Sequence, residues 1–443
     1  MKFETDKQTL EDLNLLGKYK NNSIYSLYGG IITRGGEHRL EEMFLHPLDS
    51  VEEINDRASV FCCFRDHDFP FPFGKEEYDT VEQYLNGGIH THGGMLNVYH
   101  LLKCRAMQLI ANDPEFDFIR ERILLTTQFL LKVVPYLSRI LAVQPVSSLE
   151  KLCRRALALS NDGRLERILA GELENPGLMR LIVLDRFFRG VYNQELRELL
   201  NMLEQLDVYS LVGGIAREQG FHFAMAKKDG ETLFRIKGLR HPRVKGAVAN
   251  DLEITMDKNV FFLTGANMAG KSTLMKSFGV AVYLAHMGFP LAVDSMEFRV
   301  QDGMYTSINV PDNIAMGYSH FYAEVLRVKK VAIEISKDKR LVVIFDELFK
   351  GTNVKDAFDA TLAVTEAIAG RRYCTFMVST HIIEVGEELA KRCDNVRYHY
   401  LPTVMDGKVP RYTYKLEEGI TSDKHGMIII NNEKIIETIQ GEI

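Results

Sequence analysis

Nowhere does this chain hold an apolar run approaching the ~18 residues that a membrane span requires. Its opening residues, Met-Lys-Phe-Glu-Thr-Asp-Lys, form no apolar signal segment. The six cysteines (Cys62, Cys63, Cys104, Cys153, Cys374 and Cys393) make no C-x-x-C pair and no metal-like spacing, so neither a disulfide framework nor a zinc module is expected. Positive charge is also short: 54 Lys and Arg against 60 Asp and Glu give a net charge of −6. That balance argues against a surface coated with phosphate contacts, while leaving room for a local basic stripe. Low-complexity tracts are absent, and 46% hydrophobic with 26% charged residues is ordinary globular composition. The expectation is a soluble, cytoplasmic protein whose 443 residues make two or three domains.

The most informative stretch runs from Val260 to Thr273. An apolar, β-prone run, Val260 to Leu263, enters a loop that opens at Gly265 and closes with Gly270, Lys271 and Ser272; a helix-forming run, Leu274-Met275-Lys276, follows. This is the G-x-x-x-x-G-K-[ST] pattern in its required setting, a strand before and a helix after. Glycines let backbone N–H groups face phosphate oxygens, and the helix N-terminus adds partial positive charge. Gly265, Ala266, Asn267, Met268, Ala269, Gly270, Lys271, Ser272 and Thr273 are therefore the predicted nucleotide-binding residues. Lys271 can reach the β- and γ-phosphates, and Ser272 can offer its hydroxyl to Mg²⁺.

Residues 1 to about 218 carry helical spacing and little that resembles a sheet. Leu196, Leu199, Leu200, Leu203 and Leu206 recur at helical intervals; other helical runs cover Arg120 through Leu141 and Leu149 through Leu159. His90 and His92 flank one residue between glycine pairs, without a Cys or third His at ligand spacing, and read as a turn. Between residues 100 and 190, 14 Lys and Arg face 10 Asp and Glu. Arg154, Arg155, Arg164 and Arg167 gather near the turn at Asn161-Asp162-Gly163, where they could touch a nucleic-acid backbone or form a solvated helical face.

After Gly220 short β-prone runs appear (Phe221-His222-Phe223, Leu233 to Ile236), and strands then alternate with helices, implying a mostly parallel sheet covered on both faces. Leu341-Val342-Val343-Ile344-Phe345 reads as a fully buried strand that delivers Asp346 and Glu347 at its carboxyl end. Ligands in such folds bind at that edge. Asp346 can hold Mg²⁺, and Glu347 can polarise a water for in-line attack on the γ-phosphate. His381, after the apolar run Thr375 to Val378, would emerge near the same edge and hydrogen-bond the γ-phosphate or the attacking water; a structural role is the alternative. Catalysis is thus assigned to Glu347, His381 and Lys271, and metal binding to Ser272 and Asp346. The order of these runs is that of ABC-type ATPases.

Thr264 through Thr273, with its Asn267-Met268 pair, closely resembles the phosphate loop of the MutS mismatch-repair family. Asp312 through Glu324 looks like that family's signature segment, Asp346 through Asn353 its Walker B strand and following loop, and Ser379-Thr380-His381 its switch. More loosely, Thr33 through Leu40 and His46-Pro47 are similar to the start of its helical core; Leu206 through Leu211, then Arg240-His241-Pro242, are similar to the exit from that core. The resemblance implies a mixed fold: an all-α helical core or lever domain over 1–218, then an α/β ABC-type P-loop ATPase domain over 219–443. It further implies homodimers closing around ATP and Mg²⁺, with Ser319 of one subunit contacting the γ-phosphate held by Lys271 of the other, and DNA as the partner. Departures from the pattern are expected to matter. No segment preceding the helical core could be the mismatch-reading domain, the helical region is short for a clamp insertion, and only a short tail follows residue 431. Ala247 stands where the family usually places an adenine-stacking aromatic, and Lys350 where it usually has Arg. Structured RNA or a ribosome as target, or an ATP-driven assembly role without nucleic acid, are the competing readings.

Overall fold

The computed structural model describes residues 3–17, 22–87, 95–170, 176–266, 268–308, 320–406, 409–421 and 435–440. In chain order the helices are α1 (Lys7–Asp12), α2 (Arg34–Leu45), α3 (Val51–His67), α4 (Lys75–Asn86), α5 (Met95–Ala111), α6 (Glu115–Ala142), α7 (Ser147–Ser160), α8 (Gly163–Leu169), α9 (Leu178–Arg186) and α10 (Asn193–Gln219). Among the described residues up to 219 there is no strand, only an isolated bridge from Glu4 to Gly303. The chain is therefore mixed, helical first and then sheet-bearing. Its contacts divide it into two compact units, one of residues 28–43 and 59–217, the other of residues 1–27, 44–58 and 218–443.

The helical unit is held by period-3.6 stripes. Leu196, Leu199, Leu200, Leu203 and Leu206 of α10 are all buried, as their spacing predicts. Gly213 on the same helix lies where an added Cβ would come within 2.4 Å of the Phe64 Cβ and 2.8 Å of the Phe64 carbonyl carbon, so α3 and α10 touch backbone to backbone. Buried Asp207 accepts from the backbone N–H of Ile32 (3.0 Å) and Thr33 (2.8 Å) and from the Thr33 hydroxyl (2.9 Å), satisfying polar groups at the entry to α2. Helix α6 contains an 18-residue window of mean hydropathy 1.2, apolar enough by composition to cross a membrane. Half of that window is buried in the protein, and Phe129 within it stacks on Phe73 at 4.0 Å between ring centroids. No continuous apolar run marks this helix in the sequence, because charged residues are spaced along it.

In the second unit β4 (Val260–Gly265), β7 (Gly303–Ser307), β8 (Leu341–Asp346), β9 (Thr375–Ser379), β10 (Val396–Leu401) and β13 (Glu417–Glu418) form one sheet in the order β13-β10-β4-β9-β8-β7. Every pairing from β10 to β7 is parallel, and only β13 is antiparallel. β4 and β8 are buried at every residue, which is why both read as unbroken apolar runs. Alternate side chains Val260, Phe262, Val343 and Phe345 join a core with α12 (His320–Ile335), α13 (Val354–Ala369) and α14 (Ile383–Arg392). On the opposite face Ile344 meets α11 (Lys271–His286) beside Gly279. A second sheet, in the order β3-β2-β6-β1-β5, comprises β1 (His222–Lys227), β2 (Thr232–Leu239), β3 (Asn250–Thr255), β5 (Pro290–Leu291) and β6 (Ser295–Arg299). It meets α11 through Phe234 and Phe278, whose rings lie edge to face at 5.3 Å. A small hairpin joins β11 (Thr403–Asp406) and β12 (Val409–Tyr412).

Residues 1–27 and 44–58, which the sequence alone gives to the helical part, pack with the sheets. The reason is hydrogen bonding. Glu4 extends the edge of β7, accepting from Met304 N and donating to Asp302 O, both at 2.9 Å. Asn55 brackets Ala226 of β1, donating to its carbonyl at 3.0 Å and accepting from its N–H at 2.9 Å.

Candidate active site

β4 ends at Gly265 with φ 143°, and Gly270 stands at φ 102° immediately before α11; both conformations favour glycine. Between them Met268 also takes a positive φ, 73°. The loop therefore reverses direction tightly and hands the chain to a helix whose first residue is Lys271. Ser272 and Thr273 follow in the exposed first turn. Lys271 is nearly buried and donates to Gly265 O (2.8 Å) and Ala266 O (3.1 Å), folding its side chain back over the loop. Burial lowers its pKa, and the nearby Glu347 and Asp346 charges oppose that shift.

β8 and β9 lie next to one another and bring the remaining predicted groups to the same edge. Asp346 is buried and accepts a hydrogen bond from the Ser379 hydroxyl. Glu347 is held at φ 52°, its N–H donating to Ser379 O at 3.1 Å. A non-glycine residue there costs about 1 kcal/mol, and the turn aims its carboxylate back toward the loop. Glu347 Oε1 lies 3.8 Å from Lys271 Nζ and 4.0 Å from His381 Nδ1, and the His381 ring is half exposed. Lysine, two carboxylates and a histidine from three parallel strands thus meet at one sheet edge. Such a set can carry anionic oxygens, one divalent cation and a polarised water.

The family profile for MutS domain V matches residues 261–440, which contain this whole cluster. Among curated relatives, the DNA mismatch repair protein MutS of Thermus thermophilus is 34% identical over 206 residues, 46% of this chain and 24% of that protein. The same-named protein of Pseudothermotoga lettingae is 29% identical over 234 residues, 52% of this chain and 28% of that protein. Residues 261–440 are thus similar to the domain V of MutS proteins. The matched stretch spans only about a quarter of each relative's length.

Next to the loop from Gly265 to Gly270 is a cavity of about 320 Å³, lined among others by His241, Ala247, Gly270, Thr273 and Tyr414. Ala247 offers no ring, but Tyr414 does. Its Cδ1 would lie 3.0 Å from a Cβ on Gly270, and its backbone carbonyl accepts from Asn250 Nδ2 at 2.9 Å, which fixes the chain where φ is 54°. Sequence reasoning missed Tyr414 because nothing near it marks it: the residue is brought to the loop by long-range contacts, including the bond from Asn250 of β3. The only available signal was the aromatic pair Tyr412 and Tyr414 in an otherwise polar stretch.

Other predicted residues fall elsewhere. Asn267 and Ser319 lie outside the described residues, as do His90 and His92. Arg154, Arg155, Arg164 and Arg167 belong to the helical unit, and each has a partner there. Arg154 pairs with Glu150 at 2.7 Å, Arg155 with Glu198, and Arg164 with Asp162 at 2.9 Å and Glu195 at 3.6 Å, while Arg167 donates to Gly163 O at 2.8 Å. The acidic partners neutralise much of the positive stripe that the sequence implies. In the same unit His100, Cys104 and Glu115 bring ligand-type atoms within 4.8 Å of one another. Cys104 is buried there, and burial, then hydrogen bonding and charge from Glu115, push its thiol up to about 11, so it is neutral at physiological pH.

Proposed function

We propose that this chain is an Mg²⁺-dependent, ABC-type P-loop ATPase of the MutS family that binds ATP at residues 265–273, closes as a homodimer around it in the cytoplasm, and couples that cycle to DNA. The observation that carries the reading is the approach of Glu347 to both Lys271 and His381 at the carboxyl edge of the sheet, beside a cavity of nucleoside size. Lys271 would exchange its two loop carbonyls for β- and γ-phosphate oxygens, a trade favoured by full negative charge over carbonyl dipoles. Ser272 and Asp346 would hold Mg²⁺, which neutralises phosphate charge. Asp346 fits that role because Ser379 already fixes one of its oxygens. Glu347 would accept a proton from the attacking water, with His381 orienting that water or the γ-phosphate. Tyr414 would stack on the base, taking the place of the aromatic missing at Ala247. Ser319 of the partner subunit would complete the site.

Nucleotide binding is tested by Lys271→Ala, which should abolish it; undiminished ATP affinity would remove the phosphate-loop assignment. The partner is tested by salt titrations on duplex, branched and single-stranded DNA and on RNA. DNA coupling predicts a negative slope of log affinity against log salt on DNA. A slope near zero on every nucleic acid would leave an ATP-driven assembly role, and RNA preference would move the target to structured RNA.

A further inference from the structure

Helices α5 and α6 are joined by a short turn, and three side chains of different chemistry converge across it. His100 and Cys104 stand one helical turn apart on α5, at i and i+4, so both lie on the same face. Glu115 opens α6, and Asp113 accepts from its backbone N–H at 3.0 Å, which anchors that end of the turn. Cys104 Sγ lies 3.7 Å from His100 Nδ1 and 3.9 Å from His100 Nε2, and Nε2 lies 3.4 Å from Glu115 Oε1. One ligand-type atom from each residue thus falls within 4.8 Å of the other two. Cys104 is buried, while the side chains of His100 and Glu115 are about half exposed, so the trio opens to solvent on one side.

An ion pair between His100 and Glu115 accounts for two of these groups without the thiol. The triangle accounts for all three. Tetrahedral zinc, with Zn–S about 2.3 Å and Zn–N and Zn–O about 2.0 Å, sets its ligand atoms roughly 3.3–3.5 Å apart. The Nε2–Oε1 spacing already matches, and the Sγ–Nε2 spacing exceeds that range by about 0.4 Å, which a small side-chain rotation closes. Arg105, the next residue on α5, has its guanidinium over the Phe116 ring at 5.0 Å and donates to Gln108, so its charge is engaged outside the triangle.

We propose that His100, Cys104 and Glu115 bind one zinc-class divalent cation, with water in the fourth position. The donor set selects the metal: thiolate and imidazole suit Zn²⁺, whereas Mg²⁺ takes oxygen ligands in an octahedron. Binding replaces the Cys104 thiol proton, which leaves to solvent. The ion would clip α5 to the first turn of α6 across residues 112–114, and its donors are separate from Ser272 and Asp346. No short motif marks the trio in the sequence, because the third ligand stands beyond the turn.

Cobalt(II) is the probe, because a bound thiolate adds a near-ultraviolet charge-transfer band that oxygen and nitrogen ligands do not give. Titrated into the full-length, reduced, nucleotide-free chain, Co²⁺ should raise that band to saturation at one ion per chain. Zn²⁺ should erase it, and millimolar Mg²⁺ should leave it in place. Metal held by Asp346, Glu347 and His381 would give no sulfur band, which separates the two sites. Cys104→Ser should abolish the band. His100→Ala and Glu115→Gln alter half-exposed positions, and each should weaken Co²⁺ binding by at least the roughly tenfold that losing even an outer partner of a metal ligand costs. Zn²⁺ should also raise the thermal midpoint of wild type more than that of any of these variants, and an equal rise in all four would overturn the clip. No sulfur band in wild type, a band that survives Cys104→Ser, or undiminished Co²⁺ affinity in either His100→Ala or Glu115→Gln would overturn the site itself.

Discussion

Acid should weaken the sheet unit through His286, at the last turn of the helix that starts with Lys271. This ring is wholly buried between Phe3, 4.2 Å away between centroids, and Phe298 at 5.0 Å. Its Nδ1 lies 2.8 Å from Val282 O, and its Nε2 accepts from Gln301 N at 3.1 Å. One nitrogen donates and the other accepts, which only the neutral ring can do. Burial lowers the pKa from 6.5 to about 4, against small opposing contributions from its backbone partners and from Asp302 and Asp49. A folded pKa below the unfolded one means the neutral ring contributes stability that is complete above pH 6.5 and is lost as pH falls toward 4. A shift of that size corresponds to on the order of 3 kcal/mol, of which about 2 kcal/mol would be gone at pH 5. Urea unfolding of wild type and His286→Asn, followed by tyrosine fluorescence at pH 7.5 and 5.0, checks this. Carboxylates titrate alike in both proteins, so wild type should lose about 2 kcal/mol more than the variant between the two pH values. Equal losses would mean that the ring is protonated, or exposed to water, in the folded protein.

Tyr414→Ala should weaken ATP binding by about tenfold, the worth of one aromatic stacking partner, and Tyr414→Phe should not. Calorimetric titration distinguishes them, and an unchanged affinity for Tyr414→Ala would take the base away from this cavity. Gly213→Ala should destabilise the helical unit by about 1–3 kcal/mol, because the new methyl meets the Phe64 backbone with nothing flexible to yield. A thermal midpoint equal to wild type would show that α3 and α10 are not in backbone contact.

What the sequence made legible was local. The strand before Gly265 and the buried strand before Asp346 announce themselves because each is a continuous apolar run ending in polar chemistry, and no distant residue is needed to read them. The stripe on α10 was legible for the same reason. Strand order was not, since nothing in β9 itself says that it lies between β4 and β8. Long-range polar pairing was equally hidden. Asp6 meets Arg327 across most of the chain, which is why residues 1–27 read as part of a helical domain and yet pack on the sheet. Arg155 looked available for phosphate until α10 brought Glu198 to it. Tyr414 lies 144 positions from Gly270 in sequence, and only the fold brings its ring beside that glycine.

The central claim is that nucleotide is held between two copies of the sheet unit. Its most direct test is the mass of Glu347→Gln in solution with saturating ATP and Mg²⁺, measured by light scattering during gel filtration. The account predicts the mass of two chains with ATP and a smaller species without it; a single chain under both conditions would contradict it.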